Sequence, residues 1–196
     1  MSRTEPTLER MPNRPGIAVF CGARPGSEPR FLDIARRTGA LLAQGGATLV
    51  YGGGSVGMMG ALADAALAEG GDVVGVIPKV LMDREVGHRG LTRLEVVPDM
   101  QVRKQRMIEL SDAFLTLPGG LGTLDELFEV LTLRQLGEHA KPIVAVSDAG
   151  YFDALAASVR GFVAAGLAAE KDVAALELVP TVEAALARLG VRVATT

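Results

Sequence analysis

The nine residues Pro118-Gly119-Gly120-Leu121-Gly122-Thr123-Leu124-Asp125-Glu126 gather three glycines, a hydroxyl and two carboxylates into one short stretch. That composition allows chemistry in two parts. Backbone N–H groups left open by glycine at the start of a helix can hold an anion, because the helix dipole adds to their own partial charge. A carboxylate beside that anion can act on a second part of the same ligand, as a general base or as the counter-charge to a developing cation. Two further groups carry similar potential. Gly52-Gly53-Gly54-Ser55-Val56-Gly57 is a second glycine-rich run with GxGxxG spacing, and Met100-Gln101-Val102-Arg103-Lys104 ends in adjacent cations.

Each group also has a purely structural reading. Thr123-x-x-Glu126 has the spacing of a capping box, in which the threonine hydroxyl caps a helix and the glutamate returns to the N-cap N–H. That role alone would account for both residues. The 52–57 run reads as a phosphate cradle, as glycines needed for packing, or as a dinucleotide fingerprint. The fingerprint calls for an acid about 20 residues on, at the end of the next strand. Asp72 stands at that distance but begins a strand, which puts it at the opposite edge of the sheet from a ligand. Gly52, Gly53, Gly54, Ser55 and Gly57 are therefore expected to bind phosphate. Arg103 and Lys104 open a helix, where cations oppose the dipole; they face an anion or are solvated surface charges. Arg106, in the next turn, reads as surface. The phosphate-loop signature GxxxxGK followed by Ser or Thr is absent. Two anion sites on one edge suit a ligand with a phosphate and a second polar part, such as a nucleoside monophosphate.

The order of elements must bring these groups together. Apolar runs at 17–21, 48–51, 73–77, 94–97, 113–117, 143–146 and 176–179 read as strands, and helical periodicity covers 31–43, 58–69, 100–110, 123–136, 151–165 and 181–189. Residues 79–93, with charges of both signs, two glycines and no clean period, read as a long loop with room for one helical turn. Strands and helices alternate throughout, and strands apolar on both faces must be covered on both. The expected fold class is α/β, a doubly wound, Rossmann-like parallel sheet of about seven strands with helices on both faces. Residues 1–14 are expected to be a flexible N-terminal tail and 15–190 a single nucleotide-binding catalytic domain. All three groups then stand at the carboxyl edge of the sheet, where open α/β sheets bind ligands.

Bulk properties exclude other classes. The chain has 196 residues, a net charge of −3 and 22% charged residues, within the range of an ordinary globular protein. No basic stripe points to nucleic acid. Cys21 is the single cysteine, so neither a disulfide framework nor a CxxC metal site is expected. No apolar stretch is long enough to span a membrane and the first residues lack a signal-peptide core, so the expected location is the cytoplasm. Pyridoxal chemistry needs a lysine Schiff base and a partner for the ring nitrogen. Nothing around Lys79, Lys104, Lys141 or Lys171 argues for such a pocket.

Taken together, Gly52-Gly-Gly-Ser-Val-Gly-Met-Met-Gly60, Met100-x-x-Arg103-Lys104 and Pro118-Gly-Gly-x-Gly-Thr-x-x-Glu126 resemble the Lonely Guy (LOG) family of cytokinin riboside 5′-monophosphate phosphoribohydrolases. Gln135-Leu136-Gly137-x-His139-x-Lys141-Pro142 extends the resemblance, which runs from Ile17 to Leu189. It implies hydrolysis of the N-glycosidic bond of a cytokinin nucleoside 5′-monophosphate, with AMP as a further substrate, to free base and ribose 5-phosphate. It implies no metal or organic cofactor, and a homodimer or higher homo-oligomer. Carried over residue by residue, Arg103 and Glu126 are the implied catalytic pair. Glu85, Lys104, Gly119, Gly120, Leu121, Gly122, Thr123 and Thr132 are the implied substrate contacts. Without the resemblance, Glu85 reads as a solvated loop charge and Thr132 as a helix hydroxyl bonded to the backbone. The sequence departs from the family pattern at Ala23, Leu121, Asp125, Leu133 and Arg134. The alternative is a non-catalytic nucleotide or molybdopterin-type carrier on the same scaffold, which would keep the phosphate loops and could dispense with Arg103 and Glu126.

Overall fold

Alternation along the first strand, β1 (Gly16–Phe20), shows how the sheet is built. Ile17, Val19 and, just past the strand, Cys21 enter one core, while Ala18 and Phe20 enter another. Successive strand side chains point to opposite faces, so an apolar strand needs a covering layer on each side. The computed structural model describes residues 14–85 and 87–193, with the side chains of 83–85 outside that description. The expected N-terminal tail, apart from Arg14, lies outside the described residues. The elements that follow β1 are α1 (Pro29–Gln44), β2 (Thr48–Tyr51), α2 (Gly57–Ala68), β3 (Val73–Pro78), α3 (Lys79–Glu85) and β4 (Arg93–Val97). The second half holds α4 (Met100–Leu110), β5 (Ala113–Thr116), α5 (Leu121–Gln135), β6 (Ile143–Val146), α6 (Asp153–Ala164), α7 (Glu170–Val173), β7 (Leu176–Val179) and α8 (Val182–Arg188).

The strands form one seven-stranded sheet in the order β4-β3-β2-β1-β5-β6-β7, with every pairing parallel. Helices α1, α2 and α8 cover one face through Leu42, Leu62 and Leu186, and α4 and α5 cover the other through Met107 and Leu127. This is the doubly wound α/β class expected from the alternation of strand and helix. Leu62 and Leu127 are fully buried; burial of such a side chain is worth roughly 1.5–3 kcal/mol, which fixes the helices that carry the site. A β-carbon on Gly39 would overlap the carbonyl oxygen of Leu62, so this glycine sets how closely α1 and α2 approach.

Strand order reverses direction between β1 and β5, and ligand crevices in such sheets open at that point, outside the carboxyl ends. Gly22 N–H donates to Pro118 O at 3.2 Å across it. Asp72 precedes β3 at the opposite edge and pairs with Arg14 at 2.7 Å, away from any ligand at the glycine loops.

Two elements differ from the sequence expectation. Residues 79–85 form α3, seven residues of helix where the loop reading left room for a single turn, because neither glycine nor proline interrupts them; the irregular chain begins only where Gly87 and Gly90 follow. Helix α5 begins at Leu121, two residues before Thr123, with Gly120 at its N-cap. The second shift changes the reading of the site.

Candidate active site

Asp99 sets the start of α4: its Oδ1 accepts from Val102 N–H at 2.9 Å, as an N-cap should. Arg103 follows in the first turn and a half. Helical side chains lean toward the N-terminus, and its guanidinium lies at the carboxyl edge between Gly52 and α5. The side chain is 9% exposed. Nη1 approaches Met100 Sδ at 3.5 Å, Nη2 lies 3.4 Å from Glu126 Oε1, and the buried Nε has no hydrogen-bond partner. A β-carbon on Gly52 would overlap Nη2, so the first loop glycine makes room for this arginine.

Because α5 starts at Leu121, Thr123 is the third helical residue and not the N-cap, and no side chain caps the helix. Thr123 is buried, and a β-carbon on Gly119 would overlap its side chain. The capping box suggested by the Thr-x-x-Glu spacing does not form. Glu126 is thereby released from capping and turns into the fold toward Arg103. Burial pushes its carboxyl up to about 7, against the opposing charge of Arg103; Asp125 and Glu129 add to the rise and Lys104 opposes it. A charge-assisted hydrogen bond usually spans about 2.7–2.9 Å. At 3.4 Å the two groups face each other without satisfying each other.

Lys104 is placed next to the pair but is engaged with α5. Its Nζ donates to Glu129 Oε2 at 2.9 Å and Asp125 Oδ2 at 3.2 Å. Partial burial disfavours its charge, yet these two carboxylates outweigh that and hold it above the ordinary lysine range. This is the reverse of what a Schiff-base lysine needs. Lys141 donates to Ile108 O at 2.6 Å.

The two glycine runs stand where the sequence puts them, after β2 and β5. Gly53 and Gly57 have φ of 77° and 61°, conformations that favour glycine. Helix α2 begins at Gly57 without a side-chain cap, as α5 does at Leu121, so the first-turn N–H groups of both helices are open donors. Gly120, Leu121 and Gly122 are exposed there. Between the loops, a cavity of about 140 Å³ is lined by Gly22, Arg24, Phe31, Met58, Gly119 and Tyr151, among others.

Thr132 is not brought to the pair within one chain. It lies six residues past Glu126, about 9 Å further along the helix, is exposed, and its hydroxyl donates to Phe128 O at 2.7 Å. Glu85 closes α3, but its side chain lies outside the described residues. Arg106, read as surface, instead grips the buried Glu95 through Nε at 2.7 Å and Nη2 at 3.3 Å, and Arg93 reaches the same carboxylate at 2.7 Å. Glu95 sits in a strand that read simply as apolar, so the sequence held no signal for this cluster. Nor did it signal Cys21, whose buried thiol feels the charges of both members of the pair. Burial, then the charge of Glu126, pushes that thiol up, against Arg103, so it stays protonated. Among the described residues, no group of three or more His, Cys, Asp or Glu side chains converges to hold a metal ion, and no helix is long and apolar enough to cross a membrane.

Comparison with known proteins gives a consistent placement. A family model described as possible lysine decarboxylase matches residues 59–189. A cytokinin riboside 5′-monophosphate phosphoribohydrolase of Rhodococcoides fascians is 46% identical over 169 residues, covering 83% of this chain and 85% of that one. A protein of the same name from Mycobacterium tuberculosis is 46% identical over 170 residues, covering 87% and 90%. Among solved structures, the molybdenum cofactor binding protein of Rippkaea orientalis is 20% identical with a TM-score of 0.69, covering 92% of this chain and 98% of that one. The molybdenum cofactor carrier protein of Chlamydomonas reinhardtii is 19% identical with a TM-score of 0.67, covering 90% and 96%. At those identities the structural likeness is one of fold. The family model and the sequence relatives go further: the chain belongs to the Lonely Guy family, whose model carries the lysine decarboxylase description.

Proposed function

We propose that the protein is a hydrolase that cleaves the N-glycosidic bond of nucleoside 5′-monophosphates, cytokinin nucleotides first and AMP beside them. The observation that carries this reading is the Arg103–Glu126 pair. A buried guanidinium with an unpartnered Nε faces a buried carboxylate at 3.4 Å, at the carboxyl edge beside two glycine loops. Buried polar groups are ordinarily hydrogen-bonded, so such an arrangement awaits a ligand.

The chemistry follows from the charges. The bond from C1′ of the ribose to the base nitrogen breaks with its electron pair leaving on the base, and positive charge develops on the ribosyl carbon. Ionised Glu126 stabilises that charge or takes a proton from the water whose oxygen bonds to C1′; either way that water sheds one proton, and the departing base nitrogen takes one up from solvent. Arg103, effectively always protonated, is a poor proton donor; it holds Glu126 ionised and aimed. The amides of Gly52 to Gly57 and of Gly119 to Thr123 anchor the 5′-phosphate. Binding energy from that remote group then orients the reacting bond. Products are free base and ribose 5-phosphate, and no step calls for a metal or organic cofactor. A nucleotide or molybdopterin carrier needs the phosphate loops but has no use for a buried acid opposite an arginine.

Lys104, Leu121, Glu85 and Thr132 complete the proposed substrate contacts. The reading includes a cytoplasmic homodimer in which α5 lies against a second copy, which would cover the exposed Phe128 and Leu136. The test is chromatography of free base after incubation with AMP and with isopentenyladenosine monophosphate in parallel. Release of base from either supports the hydrolase; binding of both without release from either supports the carrier.

A further inference from the structure

The Gly52–Gly57 loop has four glycines in six residues, and glycine loses more conformational freedom on folding than any other residue. Something outside the loop must hold it. Two of its carbonyls are tied. The buried Tyr51 hydroxyl donates to Gly54 O at 3.2 Å from within, and His88 N–H donates to Gly53 O at 3.0 Å from the segment after α3. Gly54 and Gly87 also form an antiparallel bridge. The His88 ring closes the circuit. Gly90 N–H donates to its Nδ1 at 3.1 Å, so the ring proton is on Nε2, and Nε2 lies 2.8 Å from Asp64 Oδ1 on α2. Asp64 belongs to the very helix whose N-terminus the loop forms. The His88 side chain is 12% exposed although it lies on an irregular segment.

We propose that His88 is a positioning residue: anchored to Asp64, it straps the 87–92 segment over Gly53 and Gly54 and fixes the glycine loop in its anion-receiving shape. This rests on the phosphate role assigned to that loop above. With the carbonyls of Gly53 and Gly54 engaged behind the loop, the uncapped N-terminus of α2 at Gly57 is held in place for the anion. A loop set before binding spends less of the ligand's interaction energy on ordering. The strap therefore acts on affinity for the phosphate and not on the bond-breaking step.

The test compares wild type, His88→Ala, His88→Gln, Asp64→Ala and the His88→Ala/Asp64→Ala double variant. Initial rates with AMP or isopentenyladenosine monophosphate are combined with calorimetric titration of ribose 5-phosphate. His88→Ala should raise KM and weaken ribose 5-phosphate about tenfold with kcat within about twofold. Asp64→Ala, which removes an exposed acceptor, should do the same by about threefold. The double variant should be no worse than His88→Ala, and His88→Gln, which keeps an N–H for Asp64, should recover most of the loss. An unchanged KM and ribose 5-phosphate affinity in His88→Ala, a fall in kcat alone, or multiplying effects in the double variant would overturn the proposal. If wild type releases no base, the hydrolase reading fails, while the ribose 5-phosphate titration still decides the strap.

Discussion

Gly52 and Arg103 share one volume: a β-carbon on the glycine would overlap Nη2 of the arginine. The φ of Gly52 is not among the positive values, so alanine suits its backbone, and the atom in conflict is the far end of a flexible side chain. Gly52→Ala should therefore fold normally and displace the guanidinium. Base release should fall on the order of 100-fold, since small misplacements of catalytic groups cost that much, while Tm stays close to wild type. A variant with full turnover would show that the position of Arg103 does not matter.

Glu126 sets the pH dependence. Burial lifts its carboxyl to about 7 while Arg103 pulls it down. If the ionised form acts, kcat/KM rises with pH through about 7 and levels above it. Arg103→Gln removes the opposing cation, so the midpoint should move higher as the rate falls. Profiles recorded with both proteins check this. Activity that declines with pH across the same window would assign the working form to the protonated acid.

The same group makes a stability prediction with a definite sign. Its folded pKa lies above the ordinary 4.5, so the folded state holds the proton more tightly. Its contribution to stability is fully present below about 4.5 and is lost as pH rises through about 7. At about 1.36 kcal/mol per unit, the loss approaches roughly 3 kcal/mol. Glu126→Gln does not titrate. Relative to wild type, its unfolding free energy from urea denaturation should improve by about that amount between acid pH and pH 8. A pH-independent difference between the two proteins would place the Glu126 carboxyl at its ordinary value.

Much of this arrangement is legible in the sequence, because it follows from chain punctuation. Apolar runs closed mostly by glycine or proline marked the strands, and the parallel sheet then forced Gly52, Arg103 and Gly119 to one edge. What escaped was tertiary. The Thr123-x-x-Glu126 spacing fits a cap, and only the start of α5 at Leu121 shows that Glu126 is free to face Arg103. Thr132, a contact by resemblance alone, lies exposed on α5 and bonded to Phe128 O, so its place in the site rests on the second copy proposed against that helix. Arg106 looks like surface because its partner, Glu95, is a buried acid in a neighbouring strand. Local pattern fixes elements and edges, whereas pairings between distant side chains depend on where the helices come to rest.

Release of free base under single-turnover conditions, comparing wild type with Glu126→Gln on isopentenyladenosine monophosphate and AMP, examines the core of the account most directly. Wild type should liberate base and ribose 5-phosphate, and the variant should be slower by about 100-fold or more while binding ribose 5-phosphate as wild type does. Equal rates in the two proteins would contradict it.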